Sequence, residues 1–237
     1  MARRPRGRRV PSAADGVDVH RGMQTTKPGL ASVAGAILLA CALSAQAYTV
    51  NISPRNPRTI YLQVGTGSFT GGSYNDGGSP AVNGTINVVS VAVPAAQVGN
   101  GTAQAMTTNS TASISFLDNF AFCNLPGQLY VGGFFRATNA AGGSNTATLV
   151  ASVPANLTNA GGRTLPFSQI RWTSSGNGDT GAQPFPAGAF PAGGTLTIGT
   201  IRRNEWAESC HAFSYLNSAV PAAGTYTGRV TYTLSAP

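Results

Sequence analysis

The chain has 237 residues, with 15 Lys and Arg against 7 Asp and Glu, a net charge of +8. Residues 1–47 hold six of the Arg and Lys27 against Asp15 and Asp18, which leaves residues 48–237 with eight Arg, no Lys, three Asp and two Glu, net +3. That weakly charged body offers no linear basic stripe to track a phosphate backbone, so nucleic acid is excluded as its partner, and its few titratable groups set it apart from enzymes.

In chain order, Lys27 precedes an apolar run over residues 28–47 that closes on Ala45-Gln46-Ala47. This is a secretory signal with cleavage before Tyr48, and the run is short for a membrane span. Arg3, Arg4, Arg6, Arg8 and Arg9 form a basic cluster ahead of Met23. Initiation at Met23 gives an ordinary signal over 23–47; initiation at Met1 gives an extended basic leader, with the twin-arginine route as a variant. Leu38-Leu39-Ala40-Cys41 also resembles a lipoprotein processing box, which would make Cys41 a lipidation site.

Residues 48–237 have the length of one domain. Alternation and turn punctuation predict strands at Tyr48–Ile52, Thr59–Val64, Thr85–Val93, Ala112–Leu117, Gln128–Ala137, Asn145–Val153, Ser168–Thr173, Gly194–Arg203, Ala212–Leu216 and Thr225–Ser235. Turn signals lie between them at Asn75–Gly78, Gly99–Gly101, Leu125–Gly127, Asn139–Gly143, Gly176–Asp179 and Pro221–Gly224, and Pro184–Gly194 reads as a loop. No amphipathic helix is visible, so the fold class is all-β, a single antiparallel β-sandwich. Ile86–Pro94 and Gln128–Phe135 are apolar on both faces and read as central strands. Gly132-Gly133 marks a bulge or a close backbone approach. Tyr226, Gly228, Val230, Tyr232 and Leu234 alternate with Thr and Arg, a strand with one face for a core and one for water.

In an exported chain, Cys123 and Cys210 pair as one disulfide. Asp76, Asp118, Asp179, Glu205 and Glu208 are the only carboxylates after the leader, and His211 the only imidazole. No Gly-x-Ser-x-Gly elbow is present, and no catalysis, metal or cofactor is expected. Glu205, Glu208 and His211 would share a face and invite a metal if their segment were helical. The expected form is a helical turn or loop pinned by Cys210, with Arg202 and Arg203 as ion-pair partners. Trp172 reads as core. Trp206, between charged residues, reads as partly exposed and as the candidate contact for a sugar.

The C-terminal segment resembles that of chaperone–usher pilus subunits. Gly224 stands fourteenth from the end, followed by the alternating Tyr226, Val230, Tyr232 and Leu234; Ala236 stands where that family has an aromatic. The resemblance implies an immunoglobulin-like, pilin-like sandwich that lacks its last strand. In such subunits a groove, here lined by Tyr226, Val230, Tyr232 and Leu234, takes a strand from a periplasmic chaperone. At the usher, the N-terminal extension of another subunit then replaces that strand. Tyr48, Val50 and Ile52 are the candidate donor. The implied partners are the chaperone, the usher and other pilus subunits, with a host or surface glycan as a further ligand. The implied route is general export to the periplasm and then the cell surface, for a structural or adhesive subunit. The alternative is a self-contained secreted or surface β-sandwich that binds glycan or protein, in which residues 48–52 and 60–64 are ordinary first strands.

Overall fold

Period-two burial organises the chain in the computed structural model, which describes residues 49–69, 86–138, 145–179 and 181–236. The leader with Met23 and Cys41, Tyr48, Asp76 and the turns at 75–78 and 139–143 lie outside the described residues. The strands are β1 (Thr49–Asn51), β2 (Thr59–Val64), β3 (Gly67–Phe69), β4 (Val89–Ser90), β5 (Gln104–Ala105), β6 (Thr107–Thr108), β7 (Leu129–Arg136), β8 (Thr146–Val153), β9 (Asn156–Thr158), β10 (Thr164–Pro166), β11 (Ile170–Ser175), β12 (Gly188–Ala189), β13 (Gly194–Arg202), β14 (Glu205–Tyr215) and β15 (Thr231–Ser235).

The larger sheet runs β12-β11-β14-β7-β2-β3, with β1 and β5 also on β14. A smaller sheet, β13-β8-β15, faces it, and β9–β10 and β4–β6 form short ribbons. Every strand pair is antiparallel. The chain is thus an antiparallel β-sandwich. Its first core fills the space between the sheets. Leu129, Val131 and Phe135 of β7 and Trp172 of β11 meet Ala147, Leu149 and Ala151 of β8 and Ile198 and Ile201 of β13. Each large side chain fully buried there contributes about 1.5–3 kcal/mol.

The outer face of the larger sheet is also buried. Tyr61, Tyr130, Trp206 and Cys210 form a second core with Phe122 and Cys123, and Val50, Ile52, Ala112 and Leu117 pack on its rim. This explains why β7 is apolar on both sides: Leu129 and Val131 point into one core and Tyr130 into the other. Gly132 and Gly133 keep regular register with both neighbours, so there is no bulge. A Cβ on Gly132 would strike the Tyr130 hydroxyl, and one on Gly133 the Tyr61 carbonyl, which is the close approach anticipated from the sequence.

The disulfide joins Cys123 to Cys210, 87 residues apart, with Cα atoms 5.5 Å apart. Closing a loop of that length removes about 4–5 kcal/mol of unfolded-state entropy in the chain-entropy model. It also fastens the segment that covers the second core to the long strand β14.

Four strand expectations change. Of the predicted strand Thr85–Val93, the described residues 86–93 contain only β4, paired with Thr107 and Thr108, and Ile86 and Val88 are 55% and 53% exposed. An apolar run without alternation does not say what will cover it. Ala112–Leu117 is a loop folded on itself, with Ser115 N donating to Phe120 O at 2.8 Å and one bridge between Ile114 and Ala121. Ala212–Leu216 is the end of the eleven-residue β14, which extends back through the predicted turn to Glu205. Thr225–Ser235 is strand only from Thr231. Gly224 has φ +147°, and Thr227 bridges Thr158 rather than β8.

Candidate functional site

β15 has a single partner. It pairs with β8 from Thr231↔Ser152 to Ser235↔Thr148, and its other edge has none among the described strands. Thr231, Thr233 and Ser235 are exposed, while Leu234 and Ala236 are buried in the first core and Tyr232 is half-buried against it. Burial raises the Tyr232 hydroxyl well above its ordinary pKa, so it stays protonated. β2 lies adjacent to β15. Leu62–Val64 of β2 pair with both β7 and β3, and Thr59–Tyr61 pair with β7. Among the described strands one edge of β15 is therefore left without a ladder partner, beside the first core.

The opposite edge of the small sheet is guarded. β13 shifts register between Thr197 and Gly199, and a Cβ on Gly199 would meet the Pro184 carbonyl and the Phe185 ring. A bulge and a covering loop are common protections for an edge strand. β15 has neither among the described residues.

Val230, Tyr232 and Leu234 thus lie together on the first core. Tyr226 does not join them. It precedes β15, and its hydroxyl donates to Ala222 O at 2.9 Å. Of the candidate donor, Val50 and Ile52 rest on the second core. β1 pairs with β14 from Thr49↔Ala207 to Asn51↔Glu205, and Ile52 N donates to Asn204 O at 2.8 Å.

The other candidate residues are placed differently from their sequence-based expectations. Trp206 is 1% exposed, not partly exposed. On a strand its charged neighbours do not set its face, and period two turns it into the second core. Phe116, 57% exposed, meets solvent there, its ring 5.8 Å from that of Trp206 and 4.8 Å from that of Tyr61. Because Glu205–His211 is strand rather than turn, Glu208 and His211 lie on opposite faces of the sheet. Among the described residues no group of three His, Cys, Asp or Glu could hold a metal ion.

Glu208 is fully buried under the 112–123 segment, and its Oε2 accepts a hydrogen bond of 2.5 Å from the Tyr130 hydroxyl. Desolvation raises its pKa, opposed by Tyr130, Trp206 and Ser115. Trp206 and Ser115 act at a distance short of a well-formed hydrogen bond, since Oε1 has no such partner among the described residues. His211 is likewise fully buried, with its ring 5.5 Å from Trp172 and Nε2–H donating to Phe185 O at 3.1 Å. Burial lowers its pKa to about 4, so the imidazole is neutral. Neither burial was anticipated from the sequence. The run from Trp206 to Tyr215 carries no polar–apolar alternation, because Trp206–His211 is buried on both faces.

No family model, no curated protein and no solved structure matches this chain. Among the described residues no helix is long and apolar enough to cross a membrane.

Proposed function

We propose that the protein is an exported structural or adhesive subunit of a bacterial surface pilus, assembled by adding a strand from another chain at β15. The observation that carries this reading is the edge of β15, which has no ladder partner among the described strands and runs beside the first core. An extended segment laid there would gain ladder hydrogen bonds, and its alternate side chains would reach Val230, Tyr232 and Leu234. The sequence of residues 48–52 supplies such alternation, and β1 is a short strand that meets β14 over three residue pairs. A periplasmic chaperone and an usher are the partners this assembly requires.

A peptide of sequence Tyr-Thr-Val-Asn-Ile-Ser, copied from residues 48–53, tests the reading. Added to the protein, it should slow amide exchange at Thr231–Ser235 and leave β13 unchanged. Equal exchange with and without the peptide would count against strand addition at this edge.

The self-contained surface sandwich remains the second reading. It is favoured by one observation, the docking of Val50 and Ile52 on the second core of their own chain.

A further inference from the structure

Charge is unevenly distributed over this fold. β2 begins, β7 ends, β13 ends and β14 begins at one end of the sandwich. Thr59 lies opposite Arg136, Phe135 opposite Glu205, and Arg202 opposite Thr146. Arg203 N donates to Asn145 O at 2.6 Å, and the Arg136 guanidinium donates through Nε to Ser53 O at 2.7 Å. The segments that close this end carry Arg55, Arg58, Arg136, Arg202 and Arg203, five of the eight Arg of residues 48–237. Among the described residues Glu205 is the one acid on those segments, and the other described segments hold Arg163, Arg171 and Arg229 against Asp118, Asp179 and Glu208. The separation is invisible along the sequence, because the five Arg come from three distant stretches.

Aromatic surface adjoins these cations. The Arg136 guanidinium is 5.6 Å from the Phe134 ring centre. Phe134 stacks on Tyr61 at 5.5 Å, and Tyr61 on Phe116 at 4.8 Å. Phe116 therefore has an inner face on the second core and an outer face in solvent.

We propose that this end of the sandwich binds an acidic polysaccharide, with its carboxylates on the Arg side chains and a sugar ring against Phe116. All the cations are Arg, whose planar fork grips carboxylates in pairs. They are spread over several segment ends rather than gathered into a pocket, which suits an extended polyanion better than a small ligand. The choice of sugar over nucleic acid rests on the reading of the chain as exported. It does not depend on strand addition at β15.

Polygalacturonate is the probe, with neutral dextran and a single-stranded oligonucleotide alongside, and binding of the whole secreted protein is measured by calorimetry at two salt concentrations. Polygalacturonate should bind, more weakly at high salt, and dextran should not. Arg55→Gln with Arg202→Gln, both exposed, should weaken binding by about tenfold or more. The charge-matched pair Arg163→Gln with Arg229→Gln, exposed on other segments, should stay within about twofold of the parent. Phe116→Ala should weaken binding without altering its salt dependence. Equal losses in the two double variants would mean net charge alone and would overturn the site. Failure of polygalacturonate to bind would overturn it as well, and an oligonucleotide bound as tightly would overturn the choice of a sugar. None of these outcomes bears on amide exchange in β15, so the two proposals fail separately.

Discussion

His211 and Glu208, three residues apart on β14, set opposite pH limbs. The His211 pKa falls from 6.5 to about 4 on folding because burial penalises the cation. Between those values the unfolded chain holds more protons, so the contribution present above pH 6.5 is lost as pH falls toward 4. The loss amounts to about 3 kcal/mol. Urea midpoints across this range should fall steeply in the parent and much less in His211→Gln; equal slopes would show that another group sets the acid limb. Glu208 has the reverse sign. Its pKa is raised above 4.5, so its contribution is complete below that value and declines as pH rises through the folded pKa. Glu208→Gln keeps an acceptor for the Tyr130 hydroxyl and cannot ionise. It should remove this decline in the same titration and raise stability at neutral pH; a lower midpoint than the parent there would contradict the account.

Single strands show how much the sequence carries. β2 occupies Thr59–Val64 as the alternation predicts, β7 and β8 are shifted by one residue at one or both ends, and the Cys123–Cys210 pairing is present. These succeed because both faces of β7 and one face of β8 are buried by neighbours, so local pattern and packing agree. Ile86–Val93 and Tyr226 fail for one reason: apolar character fixes a preference for burial but not which surface arrives to bury it. Trp206 and Glu208 fail differently. Glu and Arg letters masked a strand whose second face meets a core closed by the non-local 112–123 segment. The open edge was legible as an alternating terminal segment, but its neighbour, β2, was not. At β15 the burial pattern makes a sharp contrast. Leu234→Ala should cost about 2–4 kcal/mol by urea denaturation, whereas exposed Thr233→Ala should stay within about 0.5 kcal/mol. Comparable losses at both positions would contradict the assignment of faces.

At the scale of the molecule, one long strand organises two cores, and the two proposed surfaces lie on different elements. The β15 edge offers backbone groups to another chain, while the arginine-rich end offers charge to a polymer. The first core is covered by the facing sheets and by the loop over β13, and β15 borders it with one edge unpaired among the described strands. If that edge takes a strand from another copy, the protein assembles. The most direct measurement is electrophoresis in unheated SDS after export of the whole chain, beside a variant lacking residues 48–52. The account predicts a ladder of SDS-resistant oligomers that is absent from the deletion variant. A single monomeric band from the parent, with cooperative unfolding in urea and no chaperone supplied, would contradict it.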